Sequence, residues 1–140
     1  FKKYLKEILL ENAGIFDVSG TYKEQFYHGL MLGLVLILKN EYEITSNNFA
    51  GKGRYDLLLK PKNILKGKEG IIIELKIINE VKNLNDNKIH EKLEKECEVA
   101  LKQIDEKEYG SVLKNAGVEK VLKIEITFLG KEFEIKFERE

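Results

Sequence analysis

The sequence has 140 residues, with 24 Lys and Arg side chains balanced by 24 Asp and Glu side chains, so its formal net charge is zero. Free nucleic-acid-binding domains are mostly basic, and neutrality therefore argues against tight non-specific nucleic-acid binding by this chain alone. A single cysteine, Cys97, excludes an internal disulfide, and the apolar run from Leu30 to Leu38 is too short to span a bilayer. We expect one domain over residues 1–140 in a reducing, cytoplasmic compartment.

The first part of the sequence predicts two helices. Residues 1–12 carry apolar side chains at helical spacing, and a glycine-containing connection follows to residue 20. Thr21 and Glu24 have the spacing of a capping box, which predicts a second helix from about Tyr22 to Asn40. That helix is apolar on nearly all sides, so we expect it to pack against a sheet. The residues expected in the core are Leu30, Leu34 and Ile37.

The central part of the sequence has segments in which the residue pattern changes to that of β-strands. Residues 42–46 predict a short strand, and residues 47–53, with two glycines, predict a loop. Strands are predicted over residues 54–60 and 70–78. The polar segment between them contains the sole proline, which favours an antiparallel hairpin.

The last part of the sequence predicts a long helix and two more strands. The helix runs from about Asp86 to Lys107, with an apolar stripe of period 3.6 that includes Cys97. Strands follow over residues 121–128 and 133–137, the second alternating with charges as a half-exposed edge strand does. The helix is long enough to cross over to a parallel strand, so we expect a mixed sheet in an α/β domain.

Glu74 and Lys76 interrupt an otherwise apolar strand over residues 70–78. Strand alternation places both side chains on one face, while both faces are otherwise apolar, which is typical of a buried central strand. Charges in such a strand are costly unless they are paired or bind a metal ion. The alternative is a solvated stripe of charge at a strand edge.

Asp56 interrupts the preceding strand in the same way. If Leu59 pairs with Ile71, the antiparallel register places Asp56 directly opposite Glu74, with Cβ atoms about 5 Å apart. Two opposed carboxylates repel each other, and a bound Mg²⁺ or Mn²⁺ would convert that repulsion into a binding site. We expect Lys76 to lie beside the metal, in a cleft walled by the helix that carries Glu24.

Four segments together resemble the PD-(D/E)XK nuclease superfamily. The resemblance is closest to the nuclease-like domain found C-terminal to AAA-ATPase-like domains in prokaryotic proteins, and it covers about residues 21–130. The segments are Glu24-Gln-Phe-Tyr-His28-Gly-Leu-Met-Leu-Gly-Leu34, Gly51-Lys-Gly-Arg-Tyr-Asp56-Leu, Ile-Ile-Glu74-Leu-Lys76, and Ala100-Leu-Lys-Gln103-Ile followed by Tyr109. Tyr55 stands where the family has its name-giving proline, while the two acids and the lysine are intact.

The resemblance implies a restriction-endonuclease-like fold with an α-β-β-β-α-β core. It implies metal-dependent hydrolysis of nucleic-acid phosphodiesters, with Mg²⁺ or Mn²⁺ held by Asp56, Glu74 and the Leu75 backbone carbonyl. Lys76 would position or activate the attacking water. The chain begins with Phe1 rather than Met, and an AAA-ATPase-like domain is expected to precede it in a longer protein.

Further candidate residues each have two interpretations. Glu24 is either the acid of the capping box or a third metal ligand, directly or through water. His28 is either a buried residue with a structural hydrogen-bonding role, which is favoured, or a metal ligand. Arg54 is expected either to contact a phosphate or to pair with a carboxylate. Gln103 and Tyr109 resemble a site glutamine and tyrosine of exonuclease-like members, although Gln103 could equally be a surface residue.

Two rival functions remain open on the sequence. The first is a nucleic-acid-binding or regulatory module that keeps the site without cutting, which the neutral charge favours because phosphate binding normally draws on clustered Lys and Arg. The second is an interaction domain in which the charged strand residues form a salt-bridge network.

Overall fold

The computed structural model describes residues 1–11, 22–50, 53–79 and 84–140, and within them the side chains of all but residues 22, 47–50, 53 and 54. The elements in chain order are α1 (Lys2–Glu11), α2 (Tyr22–Val35), β1 (Tyr42–Ala50), β2 (Gly53–Pro61), β3 (Gly70–Ile77), α3 (Asp86–Glu106), α4 (Ser111–Asn115), β4 (Val121–Leu129) and β5 (Glu132–Arg139). Short 3-10 turns lie at Leu36–Leu38 and Ile64–Lys66. Across these ranges no helix is long and apolar enough to cross a bilayer.

The strands form one sheet in the order β1-β2-β3-β4-β5. The central pair, β3 and β4, is parallel, and the other pairs are antiparallel. A parallel pair needs a long crossover connection, and α3 lies in the segment that makes it. The predicted mixed sheet and α-β-β-β-α-β core are therefore confirmed.

Helices cover both faces of the sheet, because alternate strand residues point to opposite sides. One face packs against α1 and α2, and the other packs against α3 and α4. The first core contains Leu5, Leu9, Tyr27, Met31, Val35, Leu57, Leu59, Ile73, Ile126 and Phe128. The second contains Leu58, Ile72, Ile104, Tyr109, Leu113 and Val121. The two largest hydrophobic clusters of the described residues thus lie on opposite faces of β3, each against one helical layer.

The prediction for the second helix is wrong in its end and for Ile37, whereas Leu30 and Leu34 are half-buried and pack against the first core. α2 ends at Val35 and gives way to the 3-10 turn, and Ile37 is 83% exposed. The buried positions are Tyr27, Met31 and Val35, which are spaced four residues apart. A 3-10 turn has three residues per turn, so it rotates later side chains away from the face that the α-helix buries. Because apolar residues lie on all sides of this helix, the sequence pattern did not identify which face would be buried.

The predicted loop at residues 47–53 is also wrong in part. β1 extends to Ala50, which pairs with Gly53 at the start of β2. Pairing with the neighbouring strand here outweighs the low strand propensity of Asn and Gly. The five-residue helix α4 was not predicted. Thr21, the predicted helix cap, and Gly51, in the predicted loop, lie outside the described residues.

Candidate active site

Asp56 lies where the β2–β3 ladder ends. Leu59 pairs with Ile71, as predicted, and the ladder continues to Leu57 and Ile73. One further step in this register brings Asp56 beside Glu74. There the Asp56 carboxylate accepts a hydrogen bond from the Leu75 backbone N–H, with 2.8 Å between Oδ2 and N. This bond fixes the Asp56 side chain against the backbone of β3.

Glu74 is a carboxylate in an unfavourable position. Its Oε1 atom is buried without a hydrogen bond of normal geometry. Burial, with the neighbouring Asp56 carboxylate acting in the same direction, raises the pKa of Glu74 to about 8. Lys107 and Tyr109 oppose this shift weakly. A cation bound here would offset both the burial of this carboxyl oxygen and the repulsion from the second carboxylate.

Glu125 adds a third carboxyl that the sequence analysis did not identify. It is the direct neighbour of Glu74 in the parallel β3–β4 pairing, and it is 1% exposed. Burial raises the pKa of Glu125 to about 9, helped by repulsion from Glu74 and Asp56. Thr127 donates a hydrogen bond to its Oε1 atom at 3.4 Å. Acidic residues of three adjacent strands therefore lie at one level of the sheet.

The Lys76 side chain projects from the same face of β3 as Glu74, and the element that it contacts there is α3. Its Nζ atom donates a hydrogen bond to Glu96 Oε2 at 2.6 Å. The expectation that the helix carrying Glu24 walls this cleft is wrong. Strand alternation puts Glu74 and Lys76 with Ile72, on the face covered by α3, while α2 covers the face of Ile73.

A cleft of about 240 Å³ opens beside Glu74. Its lining residues are Glu74, Leu75, Lys76, Ala100, Gln103, Ile104, Lys107, Tyr109 and Glu125. The Tyr109 hydroxyl is buried without a hydrogen bond of normal geometry, and the Lys107 ammonium lies 5.6 Å from the centre of the Tyr109 ring. The cleft thus combines acidic, basic and hydroxyl groups around one small space.

His28 approaches Asp56 from α2, with 3.8 Å between its Nδ1 atom and Asp56 Oδ1. Glu24, one helical turn earlier, is exposed to solvent. Among the described residues, no group of three or more His, Cys, Asp or Glu has the arrangement of a metal-holding cluster. The Arg54 side chain lies outside the described residues.

Comparison with known families decides the classification of the fold. The model of the PD-(D/E)XK nuclease superfamily matches residues 22–138. The chain belongs to the PD-(D/E)XK nuclease superfamily. Members of this superfamily are usually nucleases and generally use divalent metals.

Other comparisons add little to this assignment. A solved structure described as SSO0001 is 14% identical, with a TM-score of 0.29, over 98% of this chain and 76% of that one. A likeness of that size carries no argument about the PD-(D/E)XK domain. A search of curated proteins finds no significant match.

Sequence reasoning missed three charged residues of this PD-(D/E)XK domain. Glu125 had a usable signal, because it interrupts the apolar strand 121–129 just as Glu74 interrupts its own. Glu96 and Lys107 had none, since Glu96 lies on a helix rich in charge and Lys107 caps the C-terminal end of that helix. A charged residue on such a helix is most simply a solvated one.

Proposed function

We propose that this chain is a divalent-metal-dependent nuclease that hydrolyses phosphodiester bonds of DNA or RNA. The observation that carries the proposal is the half-buried Glu74 carboxyl, whose Oε1 atom is buried without a hydrogen bond of normal geometry and which has a neighbouring carboxylate at Asp56. Membership of the superfamily supports it independently. Such a carboxyl is costly in a metal-free fold, and a cation is the ligand that most directly removes the cost.

The residues present fit Mg²⁺ or Mn²⁺. Mg²⁺ keeps several of its waters and is commonly held by one or two carboxylates together with substrate phosphates. Asp56 and Glu74 therefore suffice, and the Leu75 carbonyl and Glu24, directly or through water, are proposed as further ligands. When bound, the ion would lower the pKa of a water molecule and stabilise charge on the phosphate.

Lys76 is proposed to donate hydrogen bonds to the attacking water or to the scissile phosphate. Its ammonium lines the cleft beside Glu74, and an ammonium carries three donors. Gln103 and Tyr109 line the same cleft and are proposed to support substrate or water. His28 is proposed to orient Asp56, and Arg54 to contact a phosphate.

We also propose that an AAA-ATPase-like domain acts with this one in the same protein. The proposal rests on the resemblance of the four sequence segments to nuclease-like domains with that arrangement. Nucleic acid would then be delivered to the cleft by a separate module, which agrees with the zero net charge of this chain.

The test is a cleavage assay on the purified 140-residue chain. Supercoiled plasmid, linear duplex DNA and single-stranded RNA are each incubated with Mn²⁺, Mg²⁺ or EDTA. We expect metal-dependent cleavage that Asp56→Asn, Glu74→Gln and Lys76→Ala each abolish, and that a Glu98→Gln control on the outer part of α3 leaves intact. Metal-dependent binding of a substrate without cleavage would instead support the non-cutting module.

A further inference from the structure

Glu96 holds the end of the Lys76 side chain. The bond from Lys76 Nζ to Glu96 Oε2 measures 2.6 Å, and each side chain is 36% exposed. Glu96 lies on α3, the crossover helix that joins β3 to β4. The ammonium of Lys76 is thus bound to a helix that carries neither Asp56 nor Glu74.

The main consequence of this bond is orientation of the lysine rather than stability of the fold. A solvent-accessible ion pair contributes little to the stability of a fold. A lysine side chain, however, has many rotamers, so its ammonium has no fixed place without an anchor. Glu96 accepts one of three N–H donors and leaves two for other partners.

Neighbouring carboxylates on α3 show that the pairing is selective. Glu94 and Glu98 both accept hydrogen bonds from Lys136 on β5, at 3.3 and 2.9 Å. Glu96, between them in sequence, faces β3 instead and bonds Lys76. Lys76 is also the first contributor to the lowered pKa of Glu96, ahead of Lys92 and Lys95 on its own helix.

We propose that Glu96 is a positioning residue for cleavage, whose carboxylate fixes the Lys76 ammonium beside the Glu74 cleft with two donors free for phosphate or water. This inference rests on the proposed nuclease function. An ammonium held in place is oriented before the substrate arrives, and effective orientation of a reacting group is worth a large factor in rate. Glu96 itself does not line the cleft, so it acts through Lys76.

The experiment compares Glu96→Ala, Glu96→Gln and the control Glu98→Gln in the 140-residue chain. Cleavage of plasmid and of RNA with Mn²⁺ is resolved into kcat and KM. We expect Glu96→Ala to lower kcat about 10- to 100-fold with KM little changed, since small misplacements of a reacting group have effects of this size. Glu96→Gln keeps an oxygen acceptor at the same reach and should recover most of that loss. Glu98→Gln should leave both constants unchanged.

A second readout separates this inference from the proposed function. NMR relaxation of the Lys76 side-chain carbons, measured without metal or substrate, should show lower order in Glu96→Ala than in the parent and in Glu98→Gln. If no variant cleaves any substrate, the proposed function fails, and the relaxation data still decide whether Glu96 fixes Lys76. Unchanged Lys76 order, or an unchanged or increased kcat in Glu96→Ala, would overturn the positioning role.

Discussion

Glu74 and Glu125 are direct neighbours in the parallel pairing of β3 and β4, and both carboxyls are shifted towards their protonated forms. Like charges on adjacent strands of a buried sheet repel, and desolvation penalises each charged form separately. In the absence of a cation, the fold therefore accommodates this pair by keeping protons on it near neutral pH.

This pair predicts a stability that falls with rising pH. The folded-state pKa values of about 8 and about 9 exceed the ordinary value of 4.5, so the folded chain keeps protons that the unfolded chain releases. The stabilisation is complete below about pH 4.5 and is lost as the pH rises towards 8–9. Each group changes the free energy of unfolding by up to about 1.4 kcal/mol per pH unit in that window.

Urea melts in EDTA between pH 5 and pH 8 would measure this dependence. Glu125→Gln replaces the carboxyl by a neutral group of the same shape, so it should flatten the profile and be the more stable protein at pH 8. Glu98→Gln, on the surface of α3, should keep the parental slope. Parallel profiles for the parent and Glu125→Gln would show that Glu125 is not the group responsible.

Divalent metal should stabilise the chain, and Asp56→Asn should weaken that effect. The carboxylates of Asp56 and Glu74 come from different strands, so they converge only in the folded state, and binding there raises stability by mass action. At a metal concentration one hundred times Kd, the gain is about 2.7 kcal/mol, or several degrees in Tm. Thermal melts of both proteins with and without Mn²⁺ measure it. An identical response would mean that Asp56 does not hold the metal.

Tyr109→Phe should separate stability from activity. The Tyr109 hydroxyl is buried without a hydrogen bond of normal geometry, which costs on the order of 1–3 kcal/mol. Removing the hydroxyl should leave the Tm unchanged or higher. If the hydroxyl supports substrate or water in the cleft, kcat should fall in the same variant. A variant that is less stable and fully active would contradict both parts of this expectation.

The stability effects of substitutions in α2 and in the 3-10 turn after it should follow the observed burial rather than the predicted one. Met31 is fully buried, so Met31→Ala should destabilise the chain by about 2–5 kcal/mol. Ile37 is 83% exposed, so Ile37→Ala should change stability by less than about 0.5 kcal/mol. Chemical denaturation of the two variants beside the parent measures the difference. Equal losses would indicate that Ile37 is covered in solution.

The strand register and the crossover helix were predictable because each leaves a periodic signal. The run of apolar residues in the strand identified Glu74 and Lys76 as charged residues at otherwise apolar positions. The predicted pairing of Leu59 with Ile71 is the one observed. Cys97, expected in an apolar stripe, is fully buried. These features depend on the spacing of residues that are close together in the chain, so they can be predicted from a single sequence.

Contacts between elements distant in sequence were not predictable in the same way. Glu125 lies beside Glu74 only because of the register of a parallel pair, which depends on how the α3 crossover returns to the sheet. Similarly, a sheet has two faces, and sequence spacing did not show that α3 rather than α2 would cover Lys76. The roles of Asp56, Glu74 and Lys76 in catalysis stay predictions until cleavage is measured.

The connection between β2 and β3 sets which side chain meets Asp56. Because strand side chains alternate with a period of two, sliding β3 by one residue along β2 would turn Glu74 towards α2 and bring Ile73 or Leu75 opposite Asp56. The length of the connection at residues 62–69 therefore determines whether Glu74 lies beside Asp56, although the connection is at the other end of the hairpin. Insertions that bulge outward from this connection would leave the pairing of Asp56 with Glu74 unchanged. A deletion that pulls β3 by one step would replace an acid with an aliphatic side chain while leaving a sheet of the same topology.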